Sequence, residues 1–251
     1  MLKLRIIPTL LYKNFKLVKG IKFQSWRTVG SIMQAVKIYN LRQVDELILL
    51  DIYATNSKKK VDLELVNEIA DECFMPLTFG GGINSIKDIE NLLKAGADKV
   101  SINTAAIKNL RFIKEACKIF GGQSILVSID YRKIDDKIII FSNSGTLKTE
   151  LNFLDYIQKI QDSGVGEVLI TSIDRDGTMM GYDNDVLKMT SDKLKIPVIA
   201  SGGAGELIEI VKTVKYTNIS AVAASSIYHF TKNTPSDVKI FLNKNNIKVR
   251  I

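Results

Sequence analysis

The sequence predicts a (β/α)8 barrel, an α/β fold in which eight parallel strands alternate with eight helices around a closed sheet. Three observations lead there: eight short apolar runs, helix-period stretches between them, and a second half that repeats the first at an offset of 121 positions. The offset carries Glu46 onto Glu167, Pro76 onto Pro197, Gly82 onto Gly203 and Thr104 onto Ser225. A doubly wound open sheet also alternates strands and helices, but it gives no reason for the halves to match. A barrel closed from two half-barrels does.

The runs rich in β-branched and apolar residues fall near 4–10, 47–52, 76–80, 98–103, 124–130, 167–172, 197–201 and 219–224. Such near-continuous apolar strands belong to a parallel sheet covered on both faces. Helical periodicity fills 31–43, 61–73, 85–95, 105–120, 152–163, 183–193, 206–215 and 235–244. The stretch 131–146, with three isoleucines after Asp135-Asp136, reads as a strand pair inserted in the fifth loop. No Pro/Gly/Ser linker divides the 251 residues, so one barrel over 1–251 is expected.

Composition narrows the function classes. No apolar run reaches about 18 residues, and no basic segment precedes an apolar one at the start, so a cytoplasmic protein without a membrane span is expected. Cys73 and Cys117 have no metal or redox spacing and read as buried free thiols of a reducing compartment; no metal or cofactor is implied. The net charge of +8 fits either steering of an anionic substrate or a solvated basic surface. Apart from Lys58-Lys59-Lys60 the lysines are scattered without interleaved aromatics, which gives nucleic-acid binding no support.

In this fold the chemistry sits where strands end at the C-terminal face. Asp51 ends the second strand, Asp130 the fifth, and Asp174 and Asp176 follow the sixth. Asp130, after a mostly apolar strand, fits either an acid–base group or a capping aspartate. The two Gly-rich turns, at 80–82 and 202–203, leave backbone N–H groups bare beside helix starts, which suits phosphate. Gly82, Asn103 and Thr104 form one expected site, and Gly177, Gly203, Ala224 and Ser225 the other. A phosphorylated small molecule bridging the barrel mouth is the implied ligand. At the opposite face Arg5, Glu46, Lys99 and Glu167 start strands and suit a ring of ion pairs across the floor. Trp26 fits either a ligand cover or plain packing, and His229, placed just past the second phosphate helix, reads as packing.

The motifs Arg-Ile-Ile-Pro (5–8), Leu-Val-Lys-Gly (17–20), Gly-Gly-Gly-Ile (80–83), Asp-Lys-Val-Ser-Ile-Asn-Thr-Ala-Ala (98–106), Thr-Ser-Ile-Asp-Arg-Asp-Gly-Thr (171–178) and Ala-Ser-Gly-Gly-Ala-Gly (200–205) closely resemble the HisF family, cyclase subunits of imidazole glycerol phosphate synthase. The resemblance runs from residue 2 to about 250. It implies a barrel of the ribulose-phosphate-binding type that pairs with a HisH-like glutaminase as a heterodimer. Ammonia then enters the floor and crosses the core to a bis-phosphate substrate. It assigns Arg5, Glu46, Lys99 and Glu167 to an ammonia gate, Thr78 and Ser101 to the tunnel, and Asp98 and Gln123 to the glutaminase interface. Lys19, Asp51, Thr171, Asp176 and Ser201 join the substrate-binding set.

One departure alters the expectation. The family's pattern Pro-Cys-Leu-Asp-Val-Lys stands here as Pro-Thr-Leu-Leu-Tyr-Lys, so Leu11 replaces one of two essential aspartates while Asp130 keeps the other. Losing one of a pair of acid–base groups costs on the order of 100- to 10,000-fold in rate. Residues 10–14 and the Gly-Tyr-Asp after Met180 resemble instead the second HisF-like proteins of some bacteria. Those accompany a second glutaminase and a sugar amidotransferase that install acetamidino groups on surface sugars. Three functions follow: an ammonia-channelling synthase subunit for a different acceptor, an ordinary cyclase of histidine biosynthesis, or a non-catalytic barrel that activates a glutaminase.

Overall fold

The computed structural model describes residues 3–14, 16–57 and 61–250, so the lysines at 58–60 lie outside the described residues. The chain runs β1 (Arg5–Lys13), β2 (Lys16–Ile21), β3 (Gln24–Gly30), α1 (Ile32–Leu41), β4 (Leu47–Asp51), α2 (Ala54–Ser57), α3 (Leu63–Glu72), β5 (Leu77–Gly80), α4 (Ile86–Lys94) and β6 (Lys99–Ile102). It continues with α5 (Thr104–Lys108), α6 (Leu110–Phe120), β7 (Ile125–Ile134), β8 (Lys137–Ser142), β9 (Leu147–Lys148), α7 (Phe153–Gln161) and β10 (Glu167–Ser172). The last elements are α8 (Asn184–Lys193), β11 (Val198–Ser201), α9 (Leu207–Tyr216), β12 (Ala221–Ala224), α10 (Ser226–Phe230) and α11 (Pro235–Lys244).

Eight of these strands close a parallel barrel in the order β1, β4, β5, β6, β7, β10, β11, β12 and back to β1. They are the eight runs read from the sequence. Alternation of side chains along each strand gives two cores. One lies between barrel and helices, as with Ile6, Leu10, Leu49, Val100 and Val127 against Val36, Ile69, Ile89, Ile113 and Ile157. The other fills the barrel itself with Ile7, Ile48, Leu126, Leu169, Ile199, Ala221 and Ala223. Each large aliphatic side chain so buried contributes about 1.5–3 kcal/mol, which makes the barrel a rigid frame for its two ends.

Three local features differ from the sequence reading. The helix expected over 105–120 is broken at Asn109, whose extended backbone and side chain cap α6 through the Arg111 and Phe112 amides. Asparagine is a preferred cap because its oxygen satisfies the first free helix donors. His229 lies inside α10 rather than past it. Both cysteines are free but only half-buried, Cys73 at the end of α3 and Cys117 on α6.

The first loop is a hairpin that periodicity did not reveal. β1 continues beyond the barrel rim to pair with β2, which pairs with β3. Its two-residue turn, Lys22-Phe23, has both residues at positive φ, 53° and 62°. Such turns favour Asn-Gly or Asp-Gly, so this pair gives no turn signal. Tertiary contacts hold the hairpin over the barrel mouth. The Lys22 amide donates to the Asp176 carbonyl at 2.8 Å, and the Arg27 guanidinium stacks on Phe230 at 3.8 Å. Gly177, at φ 76°, passes so close beneath the Gly20 carbonyl that a Cβ there would collide with it.

The strand pair expected in the fifth loop is present. β7 runs past the rim, turns at Asp135-Asp136 with both at positive φ, and returns as β8.

Candidate functional site

The C-terminal mouth holds a cavity of about 860 Å³. That volume falls within the range of small-molecule sites. Strand ends and loops from both halves of the barrel supply its wall. Asp130 and every residue expected to bind substrate line it: Lys19, Asp51, Gly82, Asn103, Thr104, Thr171, Asp176, Gly177, Ser201, Gly203, Ala224 and Ser225. Trp26 lines it too, from the first-loop hairpin. Asp174 does not. It is turned to the fifth loop, where it accepts the Lys133 amide at 3.0 Å and faces Arg132 at 3.8 Å.

Asp130 is the central acid. It is buried near the end of the barrel portion of β7, accepts from Asn103 Nδ2 at 3.0 Å, and lies 3.5 Å from Ser128 Oγ. Burial pushes its carboxyl up to about 7, with the nearby Asp176 charge adding to the effect and hydrogen bonds from Ser128 and Thr171 opposing it. A carboxyl so placed is about half protonated at neutral pH and can give its proton up or take it back. Sequence reading missed Ser128, although its position two residues before Asp130 puts both on one face of the strand.

Beside it Lys19 Nζ grips both oxygens of Asp176, at 2.7 and 2.8 Å. The lysine is 2% exposed, so this is a buried ion pair that joins the first-loop hairpin to the sixth loop. Burial and the Lys19 charge hold His229 down to about 4, which keeps its imidazole neutral. Asp51 accepts the Tyr53 and Ala54 amides, both at 2.9 Å, and so shapes the second loop.

The two glycine turns differ in how open their donors are. The Gly82 amide is not bare, as the sequence suggested: it donates to Thr55 Oγ1 at 3.3 Å. Thr104 Oγ1 in turn accepts the Asn143 amide at 2.9 Å. In the second half the Gly203 carbonyl receives the Gly181 amide at 2.8 Å, which fixes the turn. There Ser225 Oγ and Ser226 Oγ are buried and lack hydrogen-bond partners. Buried hydroxyls normally find partners, so two orphans beside the Gly203 turn are donors suited to an anion.

The N-terminal face carries the four charged residues as a closed ring. Arg5 donates to Glu46 at 2.6 Å and to Glu167 at 2.6 Å; Lys99 donates to Glu46 at 2.9 Å and to Glu167. Burial works against the ionised Glu167 carboxylate, yet the bonds and charges of Arg5 and Lys99 outweigh it and hold its pKa below the usual range. Above the ring stand the aliphatic residues of the barrel interior, then Thr9, Ser101, Ser128 and Thr171 at the base of the cavity. Thr78 is buried on β5 and does not reach the cavity wall. Asp98 and Gln123 are exposed at the starts of β6 and β7, on the ring's side of the barrel.

Leu11 stands on the cavity wall. It is buried, pairs with Val18 and Leu50, and faces the cavity, whereas its neighbour Tyr12 packs into the outer core. Among the described residues, no group of three or more His, Cys, Asp or Glu side chains is placed to hold a metal ion, and no helix is long and apolar enough to cross a membrane.

Residues 5–234 match the family model described as histidine biosynthesis protein. Over 251 residues, covering all of both chains, the sequence is 42% identical to the imidazole glycerol phosphate synthase subunit HisF of Chlorobium phaeovibrioides and 42% identical to that of Chlorobaculum tepidum. The HisF subunit of Bacillus cereus is 42% identical over 252 residues, again with both chains fully covered.

Proposed function

The chain belongs to the histidine biosynthesis protein family as a HisF-type subunit, and from that premise we propose that it is an ammonia-channelling synthase subunit of a glutamine-dependent amidotransferase. A HisH-like glutaminase docks on the floor around Asp98 and Gln123. Ammonia passes the Arg5–Glu46–Lys99–Glu167 ring, which acts as the gate, and crosses the barrel past Thr78 and Ser101. It meets a phosphorylated acceptor held between the Gly82–Asn103–Thr104 and Gly177–Gly203–Ala224–Ser225 sites. The observation that carries this reading is the shared axis: a closed charged ring at one end of the barrel and, at the other, the buried Asp130, whose carboxyl is raised to about 7.

The acceptor differs from that of histidine biosynthesis. Leu11 cannot take or give a proton, and the whole segment 10–14 departs from the family pattern. An acceptor sugar of a surface polysaccharide, aminated together with a sugar amidotransferase, fits the resemblance of that segment. In the barrel Asp130 holds a proton for the acceptor's leaving oxygen, while Asn103 and Thr171 orient its carboxyl. The ordinary cyclase is the second reading, favoured by 42% identity to HisF subunits along the full chain.

Turnover of the histidine-pathway nucleotide by the purified protein with free ammonia separates the two. We expect near silence, and Leu11→Asp to restore little. A rate of about 1 per second or more, normal for an enzyme, rejects our reading in favour of the ordinary cyclase.

A further inference from the structure

The cavity has two unlike walls. β7, which carries Asp130, is the fourth strand from β1 in either direction round the barrel, so the two face each other across the mouth. The β7 side and its neighbours present Asn103, Ser128, Asp130, Thr171 and Asp176. The β1 side presents Leu11 and Leu50, paired in register, with Ile52 from the second loop and Phe23 and Trp26 from the hairpin. Apart from Ser225 and Ser226, which follow the neighbouring β12 and belong to the anion site, the polar groups on that side are engaged or deep. Asp51 is turned to the Tyr53 and Ala54 amides, Lys19 reaches across to Asp176, and Thr9 lies two positions further into the barrel than Leu11.

We propose that Leu11, Leu50, Ile52, Phe23 and Trp26 form a binding surface for an unhydroxylated, apolar segment of the phosphorylated ligand, so that the site selects a deoxygenated or alkyl-bearing acceptor over a polyol. This rests on the anion sites of the proposed function and names the class of ligand they hold. A hydroxyl turned towards this wall gives up its water without gaining a partner, which disfavours it. A methyl or methylene there leaves water for a surface of leucine and aromatic rings, which favours it. The polar wall opposite then keeps the reacting oxygen of the ligand beside Asp130. Trp26 is held in this position because Gly20, beneath its ring, has no side chain to displace it.

Hexyl phosphate and sorbitol 6-phosphate test this directly, since they share a six-carbon chain and one phosphate and differ in their hydroxyls. Binding is read by the fluorescence of Trp26, the single tryptophan of the chain, and by calorimetry, with inorganic phosphate as competitor. We expect hexyl phosphate to bind about tenfold more tightly, the effect of burying one or two methylenes, with a blue shift of the tryptophan emission. Leu11→Asn should abolish the preference while leaving the affinity for inorganic phosphate unchanged. Equal affinities, or tighter binding of the polyol, overturn the inference even if phosphate competes with both. A preference for the hexyl chain without competition by phosphate supports the apolar wall and rejects the anion sites. Failure of both probes to bind overturns both ideas. Calorimetry with Trp26→Phe separates loss of the reporter from loss of binding.

Discussion

Replacing Asp130 by Asn tests whether the barrel stores a proton at its mouth. Burial and Asp176 raise the carboxyl from 3.8 to about 7 in the folded protein. An unfolded chain releases that proton near pH 4. Between about pH 4 and 7 the folded state therefore binds more protons than the unfolded one, and wild-type stability falls as pH rises. The slope reaches about 1.4 kcal/mol per pH unit, and the loss over the window is at most about 4 kcal/mol. Below pH 4 the protonated carboxyl and the amide are both neutral and of similar shape, so the two proteins should be close in stability. Urea unfolding from pH 4.5 to 8 should show Asp130→Asn gaining on wild type by about 2–4 kcal/mol and levelling off above pH 7. A difference that stays flat with pH would refute the raised pKa and, with it, the view of Asp130 as a proton donor at neutral pH. In catalysis the same proton predicts a rate that declines above pH 7.

Two further outcomes follow from the ends of the barrel. Lys99→Ala opens the ring and leaves Glu46 and Glu167 to share Arg5. Because the ring is partly exposed, the cost should be about 1–3 kcal/mol rather than that of a fully buried pair, and thermal unfolding should still be cooperative. In complex with the proposed glutaminase partner, that variant should release more ammonia to solvent per acceptor aminated, measured as the ratio of glutamate to product; an unchanged ratio argues against a gate. Ser225→Ala removes a buried hydroxyl without a partner, so it should not lower the melting temperature. It should nonetheless weaken inorganic phosphate by about tenfold or more in calorimetry, because a hydrogen bond to a charged group is worth about 1.5–3 kcal/mol; unchanged affinity would place the anion elsewhere.

How far the sequence discloses this molecule depends on the range of the interactions that make each part. The barrel strands are legible because burial on both faces leaves near-continuous apolar runs, as in Leu47–Asp51 and Glu167–Ser172. The clustering of Gly82, Asn103 and Thr104, or of Gly203 and Ser225, at one mouth is legible because the 121-residue repeat places them at matching strand ends. The first-loop hairpin is not. Lys22 and Phe23 carry no turn propensity, and contacts to Asp176 and Phe230, more than 150 residues away, hold the hairpin in place. The same holds for Gly82: its glycine identity suggests a bare amide, but only the fold reveals Thr55 Oγ1 beside it. Local pattern specifies the frame, and distant contacts decide which donors stay open.

The substitution at position 11 acquires its meaning from that frame. Across a closed barrel, a residue on β1 and a residue on β7 confront the same ligand from opposite sides. An aspartate at Leu11 would put a third carboxyl into the space that Asp130 and Asp176 already share, adding to the like-charge repulsion that Asp176 exerts on Asp130. With leucine there, the β1 wall offers the ligand contact area but no proton, and in the proposed function proton transfer rests on the β7 side. A two-proton ring closure loses one of its agents in such a site. Attack by ammonia on one electrophilic carbon does not: nitrogen bonds to that carbon, Asp130 gives its proton to the departing oxygen, and the ammonium proton returns to Asp130. One acid, reset within each cycle, is sufficient for that step, and a single buried carboxyl poised near neutrality can perform it.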